Sequence, residues 1–361
     1  MADKLGNENT SWVEKVFFFF LFLFSVRMVI ADQDTVISHS HKLEVDKLLK
    51  KLNKLAAKSI KSPDEDIIDC VSILSQPAFN HPKLKNHKIK MRPNFQPQDN
   101  ILEVSDEISS KSKPIVQLWH QSGSCPEGTI PIRRTREEDI LRASSMQQFG
   151  KKNLKNVVLP LTPNVGGQGG YEYASVFIKG DKYYGGKGAM NVWNPNVEQS
   201  QEYSLSATWV GSGSDPENIE VIEAGWQVNP QLYGDNHTRL FITALHSDSS
   251  KNTGCYDLLC SGFVQVYSAV ALGSSIMPLS LYNDTNSQYQ ITITIWKDKG
   301  DGDWWMRYGT DQIVGYWPSS LVSSLSDSAT VIEWGGEVGN SGTNGQHTTT
   351  QMGSGHFSGK S

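Results

Sequence analysis

The sequence predicts an all-β domain, an antiparallel two-sheet β-sandwich, preceded by a mixed segment that carries an amphipathic helix. Three observations carry this. From about Tyr171 onward apolar residues recur at every second position in short runs, the period of strands with one buried face. Gly, Asp, Asn and Pro turns separate those runs with no long helical segment between them, the pattern of an antiparallel sandwich or barrel. The halves also differ. Residues 1–150 hold 21 Lys and Arg against 19 Asp and Glu, a balance of +2, while 151–361 hold 12 against 19, a balance of −7, and eight of the ten Trp lie in the second half. In a chain of 361 residues this reads as two units with different tasks. The net charge of −5 argues against nucleic acid as a partner, because phosphate binding needs a concentrated basic face.

In chain order, the first element is an apolar run, Val16 to Val26, after Lys15 and before Arg27, followed by Val29-Ile30-Ala31. This is the pattern of a secretory signal over residues 1–31. It is too short to span a bilayer, so no membrane attachment is expected once the signal is removed. Val45, Leu48, Leu49, Leu52, Leu55 and Ala56 then recur at helical spacing and predict an amphipathic helix of about four turns. Ser62 to Lys113 is Pro-rich and reads as loop, and a second helix is expected from Thr135, where Glu138 stands at capping-box spacing. Strands are expected at Gln201–Val210, Ile219–Val228, Leu240–Leu245, Gly262–Leu272, Gln290–Trp296, Trp304–Tyr308, Ile313–Trp317 and Thr330–Val338. So much β structure implies six or seven strands per sheet.

Four cysteines in a chain that enters the secretory route favour disulfides over metal or thiol chemistry, and no C-x-x-C occurs to suggest zinc. Cys255 and Cys260 are spaced for a clamp on a local turn, which leaves Cys70 to pair with Cys125. Asn236 and Asn283 stand in Asn-x-Thr sequons and are expected on the surface and glycosylated.

Most signatures of catalysis are missing. There is no G-x-S-x-G, H-E-x-x-H or G-x-G-x-x-G, and Gly180–Gly188 lacks the spacing of a phosphate loop. Asp298, Asp301 and Asp303 lack the bidentate Glu of a calcium loop and read as a solvated acidic hairpin turn. Strand parity singles out three other carboxylates. Glu223 shares a face with Gly225, opposite Ile222, Ala224 and Trp226; Glu333 and Glu337 flank Gly335, opposite Ile332 and Trp334. A glycine inside a strand often marks close approach of another chain or ligand, so these positions outline a groove across one sheet. Solvent-facing positions would explain the pattern equally well. Paired carboxyls with separated titrations serve both peptide and glycoside hydrolysis, and spacing does not choose between them.

The segments IIDCVSILSQPAFNHPKLKNHKIKMRPNF, CPEGTIPIRRT, NVWNPNV, IEAGWQVNPQLYGDNHTRLF, TGCYDLLCSGFVQ, WGGEV and TTTQMGSGHF resemble the neprosin family of plant secreted proteins, from about Asp66 to Phe357. The resemblance implies a glutamic endopeptidase that cleaves after proline at acid pH, with an activation peptide over 32–150 and a β-sandwich peptidase domain over 151–361. It places the two catalytic glutamates at Glu223 and Glu337, eliminates Glu333, and supports the pairs Cys70–Cys125 and Cys255–Cys260. By analogy with glutamic peptidases, Glu337 would be the base and Glu223 the acid. The implied partners are proline-containing polypeptide substrates and the chain's own propeptide, the implied location is extracellular or cell wall, and no cofactor or metal is implied. Family members continue past GSGHF into a further strand whereas this sequence stops at Ser361, so an exposed sheet edge is expected. Two alternatives fit a secreted, Trp-rich sandwich: a cell-wall glycoside hydrolase, or a non-catalytic carbohydrate-binding protein stacking sugar on Trp193, Trp226 and Trp334.

Overall fold

The computed structural model describes residues 41–97, 114–152, 170–212, 219–248, 251–342 and 346–356, and the signal segment lies outside them. The chain forms two compact units, Met1–Lys51 and Leu52–Ser361. The described part of the first lies in a helix, α1, over 41–52. Among the described residues no helix is long and apolar enough to cross a membrane.

The second unit begins with β1 (Ala56–Lys61) and β2 (Ile67–Ser72), followed by β3 (Val116–Gln117) and β4 (Thr129–Arg133). The helical period of the sequence therefore ends early: Leu55 is exposed and Ala56 opens a strand. The Asn53 side chain accepts from the Thr135 N–H and donates to the Thr135 carbonyl, drawing the chain out of the helix. Strands β1, β2 and β4 make a small antiparallel sheet closed by the Cys70–Cys125 disulfide. That bridge closes a 55-residue separation and contributes about 4 kcal/mol by the chain-entropy argument. The expected second helix, α2, is short (Glu137–Arg142), and its cap is shifted by one residue: Asp139, not Glu138, accepts from the Arg136 N–H.

The sandwich is built from β5 (Lys151–Lys152), β6 (Tyr171–Tyr183), β7 (Gly185–Asn191), β8 (Tyr203–Ser212), β9 (Glu220–Val228), β10 (Arg239–Asp248) and β11 (Lys251–Tyr256). It continues with β12 (Val264–Gln265), β13 (Ile276–Met277), β14 (Gln290–Lys297), β15 (Trp304–Tyr308), β16 (Gln312–Trp317) and β17 (Ala329–Gly339). One sheet has seven strands in the order β5-β11-β10-β9-β8-β17-β6; the other has five, β12-β16-β15-β14-β7. Every pairing within them is antiparallel. The core between them holds Val210, Ile222, Ala224, Trp226, Ile242 and Ile332 from the large sheet and Ile291, Ile293, Ile295, Trp304 and Met306 from the small one.

The small sheet has five strands, fewer than the expected six or seven, and of the run Gly262–Leu272 only the two residues of β12 join it. Side-chain amides take the place of a neighbouring strand there. Gln76 holds the N–H and carbonyl of Gln265, and Gln117 holds those of Ala271, at 2.7–3.0 Å. Both glutamines come from the N-terminal segment, which is thereby tied to the sandwich. The acidic turn between β14 and β15 is likewise not solvated: Lys90 pairs with Asp301 at 2.7 Å and with Asp303, while Asp298 accepts backbone N–H groups of Asn94 and Phe95. Among the described residues β6 ends the large sheet on the side away from β5, with Val176, Phe177 and Ile178 exposed.

Candidate active site

The face of the large sheet turned away from the core carries the carboxylates that strand parity selected. Ladder pairing aligns Glu333, Trp209, Glu223 and Thr243 in one row across β17, β8, β9 and β10. A second row, two residues along each strand, runs Gly335, Ala207, Gly225 and Phe241. A third runs Tyr173, Glu337, Leu205, Gln227 and Arg239. Opposed residues share a face, so Glu223 and Glu337 project from the same side of the sheet, diagonally across β8. The glycines between them have a different reason from the one expected. A methyl group at Gly225 would lie 1.9 Å from the Ser206 carbonyl oxygen, and one at Gly335 2.3 Å from that of Ala174. The close approach seen in the structure is to the adjoining strands.

Both glutamates are fully buried, and a single cation lies between them. Lys152 Nζ stands 3.0 and 3.3 Å from the two oxygens of Glu223 and 2.9 Å from Glu337 Oε2. The lysine is buried on β5, which pairs with β11 at the sheet edge. Glu223 also accepts from the Trp209 indole N–H and the Thr243 hydroxyl; the other oxygen of Glu337 accepts from the Tyr203 hydroxyl. Burial works against the ammonium of Lys152, but the two carboxylates outweigh it and hold its pKa well above the ordinary value. Burial pushes Glu337 up, opposed by Lys152 and reinforced by the neighbouring Glu223 charge. Glu333 stands apart: it accepts from Ser175 and makes no bond to Lys152, and burial raises its pKa.

Next to the dyad is a cavity of about 330 Å³ lined by Phe149, Lys152, Tyr171, Tyr203, Leu232 and Tyr256 among others. Further along, Arg239 ties Asp66 of the N-terminal segment and Asp235 of the sandwich, while Arg133 joins Asp66 at 2.9 Å and Asp139 at 3.2 Å. Arrangements of this kind, two buried carboxyls aimed at one point with separate sets of donors, suit the activation of a water for attack on a carbonyl.

The remaining expected residues fall as follows. Cys255 bonds to Cys260 beside β5, and no described cysteine is free. Asn236 and Asn283 are exposed, as glycan attachment requires. The proposed sugar platform does not form: Trp226 is fully buried, and Trp193 and Trp334 pack against the same core. Sequence reasoning missed Lys152, Trp209, Tyr203 and Thr243 as site residues. A signal existed for two of them, since Tyr203 and Trp209 share one face of the alternating run in β8; that apolar face turns to the glutamates, and Thr208 and Val210 turn inward. Lys152 carries no local signal, being brought to the dyad by a two-residue strand.

Comparison with known proteins agrees with the sequence reading. Among solved structures, similarity is found to a Bacteroides ovatus mixed-linkage glucan GH16 protein in complex with product, at 9% identity and TM-score 0.27, covering 46% of this chain and 61% of that one. Scytalido-glutamic peptidase, solved with a peptide-based transition-state analog, matches at 12% identity and TM-score 0.25, over 50% of this chain and 70% of its own. A homodimeric agglutinin from chicken liver matches at 10% identity and TM-score 0.22, over 46% and 92%. Similarities this low say nothing about activity. Family models are decisive: the neprosin activation peptide matches residues 59–177 and neprosin itself residues 200–361. The chain belongs to the neprosin family.

Proposed function

We propose that this protein is a secreted acid endopeptidase of glutamic type that cleaves after proline, made as a proprotein and held latent by Lys152, and that it acts outside the cell or in the cell wall. The observation that carries the reading is the convergence of Glu223 and Glu337 on one buried cation. An ammonium is close in size to water and donates to both carboxyls, so Lys152 Nζ stands in for the water that the pair would activate. The preference for proline rests on the family.

The donors divide the labour. With Lys152 withdrawn, Glu223 keeps two donors, Trp209 and Thr243, whereas Glu337 keeps one, Tyr203. Hydrogen bonds to a carboxylate favour its charged form. Glu223 is therefore assigned as the base that takes the water's proton; Glu337, raised by burial, holds a proton for the oxyanion and then for the leaving amine. This reverses the roles suggested by analogy.

Latency and acid activation follow from the same charges. Burial raises the pKa of Glu337 in the closed proprotein and Lys152 opposes that rise. With Lys152 gone and Glu337 still walled in by its strand neighbours, the open form binds the proton more tightly, and falling pH shifts the balance toward opening. The cut that frees the activation peptide lies after Lys152, so that the cation can leave, and before Tyr171, because β6 pairs with β17 along its length.

The test is to incubate the purified proprotein at about pH 3 to 5 with a proline-rich protein and identify the new termini by mass spectrometry. Cleavage after proline is expected. Sugar release from wall polysaccharide with no peptide cleavage would replace the reading with the glycoside hydrolase.

A further inference from the structure

Facing the dyad, the polar groups of Glu223, Glu337, Tyr203, Trp209, Thr243 and Lys152 all have partners. The Tyr173 hydroxyl is different: its oxygen is closed to solvent and has no hydrogen-bond partner among the described residues. Tyr173 stands directly opposite Glu337 in the β6–β17 ladder and on the same face, a pairing that sets Cβ atoms about 4.5–5.5 Å apart. Burial, then the charge of Glu337, drives its pKa well above the ordinary value, with Lys152 opposing and Glu223 adding to the rise. The phenol is thus a neutral donor over the whole acid range. A buried hydroxyl without a partner is costly, and in a native structure such a group calls for an explanation.

We propose that Tyr173 is a third catalytic group, whose hydroxyl donates a hydrogen bond to the substrate's carbonyl oxygen as that oxygen becomes an oxyanion. This rests on the reading of the dyad given above. Once Lys152 has left, water bonded to Glu223 attacks the carbonyl carbon. The new C–O bond forms, the π pair moves onto the carbonyl oxygen, and Glu223 takes the water's proton. Protonated Glu337 and the Tyr173 hydroxyl meet the new charge together; when the C–N bond breaks, Glu337 gives its proton to the amine and Tyr173 keeps its own. Tyr203 does not fill this place, because its hydroxyl already donates to Glu337. The partner that Tyr173 lacks is supplied by the transition state, as an oxyanion hole requires.

The experiment compares the acid-activated full-length proprotein with its Tyr173→Phe variant, which loses one oxygen and keeps the ring. Removing one oxyanion donor should lower kcat on the order of 10²-fold and leave KM within about twofold. A peptide carrying a tetrahedral phosphinic group in place of the scissile bond should lose affinity in step with kcat/KM. A kcat within about threefold of wild type, or a rise in KM alone, would overturn the proposal, since a residue that merely lines the cleft gives that result. An activated enzyme whose N-terminus lies beyond Tyr173 would overturn it as well. Failure of this idea is separable from failure of the function itself. If wild type cleaves and depends on Glu223 and Glu337 but not on Tyr173, the dyad stands and the third group falls; if wild type cleaves no peptide, both fall.

Discussion

Replacing Lys152 by methionine should convert the proprotein from an acid-gated chain to one that opens near neutrality. Methionine keeps an unbranched apolar stem and removes the charge. In the closed form the ammonium satisfies three contacts of 2.9–3.3 Å to two carboxyls that have no access to water. Removing one partner of a buried ion pair costs on the order of 3–5 kcal/mol, a factor of roughly 10² to 5 × 10³ in the ratio of closed to open forms. Proton uptake by one of the stranded glutamates offsets part of this, so the figure is an upper bound. The sign with pH is fixed by the same contact. With lysine present its charge opposes the burial-driven rise of Glu337 in the closed form; with methionine that opposition vanishes, and opening loses most of its pH dependence. The assay follows the intact chain on denaturing gels while a quenched proline-containing peptide reports activity, from about pH 3 to 7. Conversion of the variant should begin at higher pH and run about 10²-fold faster at a pH where wild type is still latent. The double variant Lys152→Met/Glu223→Gln should open without processing itself. An onset of conversion unchanged in pH and within about twofold in rate would refute the clamp.

Glu223→Gln should abolish activity, since general-base catalysis is worth about 10²–10⁴-fold, whereas Glu337→Gln keeps a donor for the oxyanion and should retain measurable turnover with less dependence on acid; the opposite ranking restores the roles suggested by analogy. Glu333→Gln, held by Ser175 and without contact to Lys152, should leave kcat within about threefold of wild type under the same assay. Burial pushes Asp257 up to about 7 against the donation of Tyr233 and the N–H of Ile242. A raised carboxyl stabilises the fold fully below its unfolded pKa, and that stabilisation fades as pH rises to about 7, by up to about 4 kcal/mol. Denaturant titrations of Asp257→Asn should flatten that fall, and an unchanged pH profile would remove Asp257 as its source. Gly225→Ala forces a methyl group to 1.9 Å from the Ser206 carbonyl oxygen and should prevent secretion or lower Tm sharply; a wild-type melting curve would show that the strands can part.

The sequence by itself determined the sandwich, the faces of its strands and the sheet face on which Glu223, Glu333 and Glu337 stand. Period-two alternation in β9 and β17 sorts Ile222, Ala224, Trp226, Ile332 and Trp334 onto the core side and Glu223 and Glu337 onto the other, because backbone pleating is a local property that any strand obeys. Motifs that resemble a family then separated Glu337 from Glu333, which parity alone could not do. Tertiary structure decided everything that depends on contacts between distant residues. Leu55 and Ala56 continue the helical period, yet Asn53 bonding to Thr135 ends the helix before them. Gly262–Leu272 reads as a strand, but Gln76 and Gln117 supply the hydrogen bonds that a neighbouring strand would have made. The apolar face of β8 would be assigned to the core, yet Tyr203 and Trp209 point at the dyad, since the face opposite the core is also covered and dry. Lys152 lies 71 residues before Glu223 and 185 before Glu337. A charge brought to two others across such separations leaves no period, spacing or motif in the sequence, because Coulomb attraction depends on distance in space and the fold alone sets that distance.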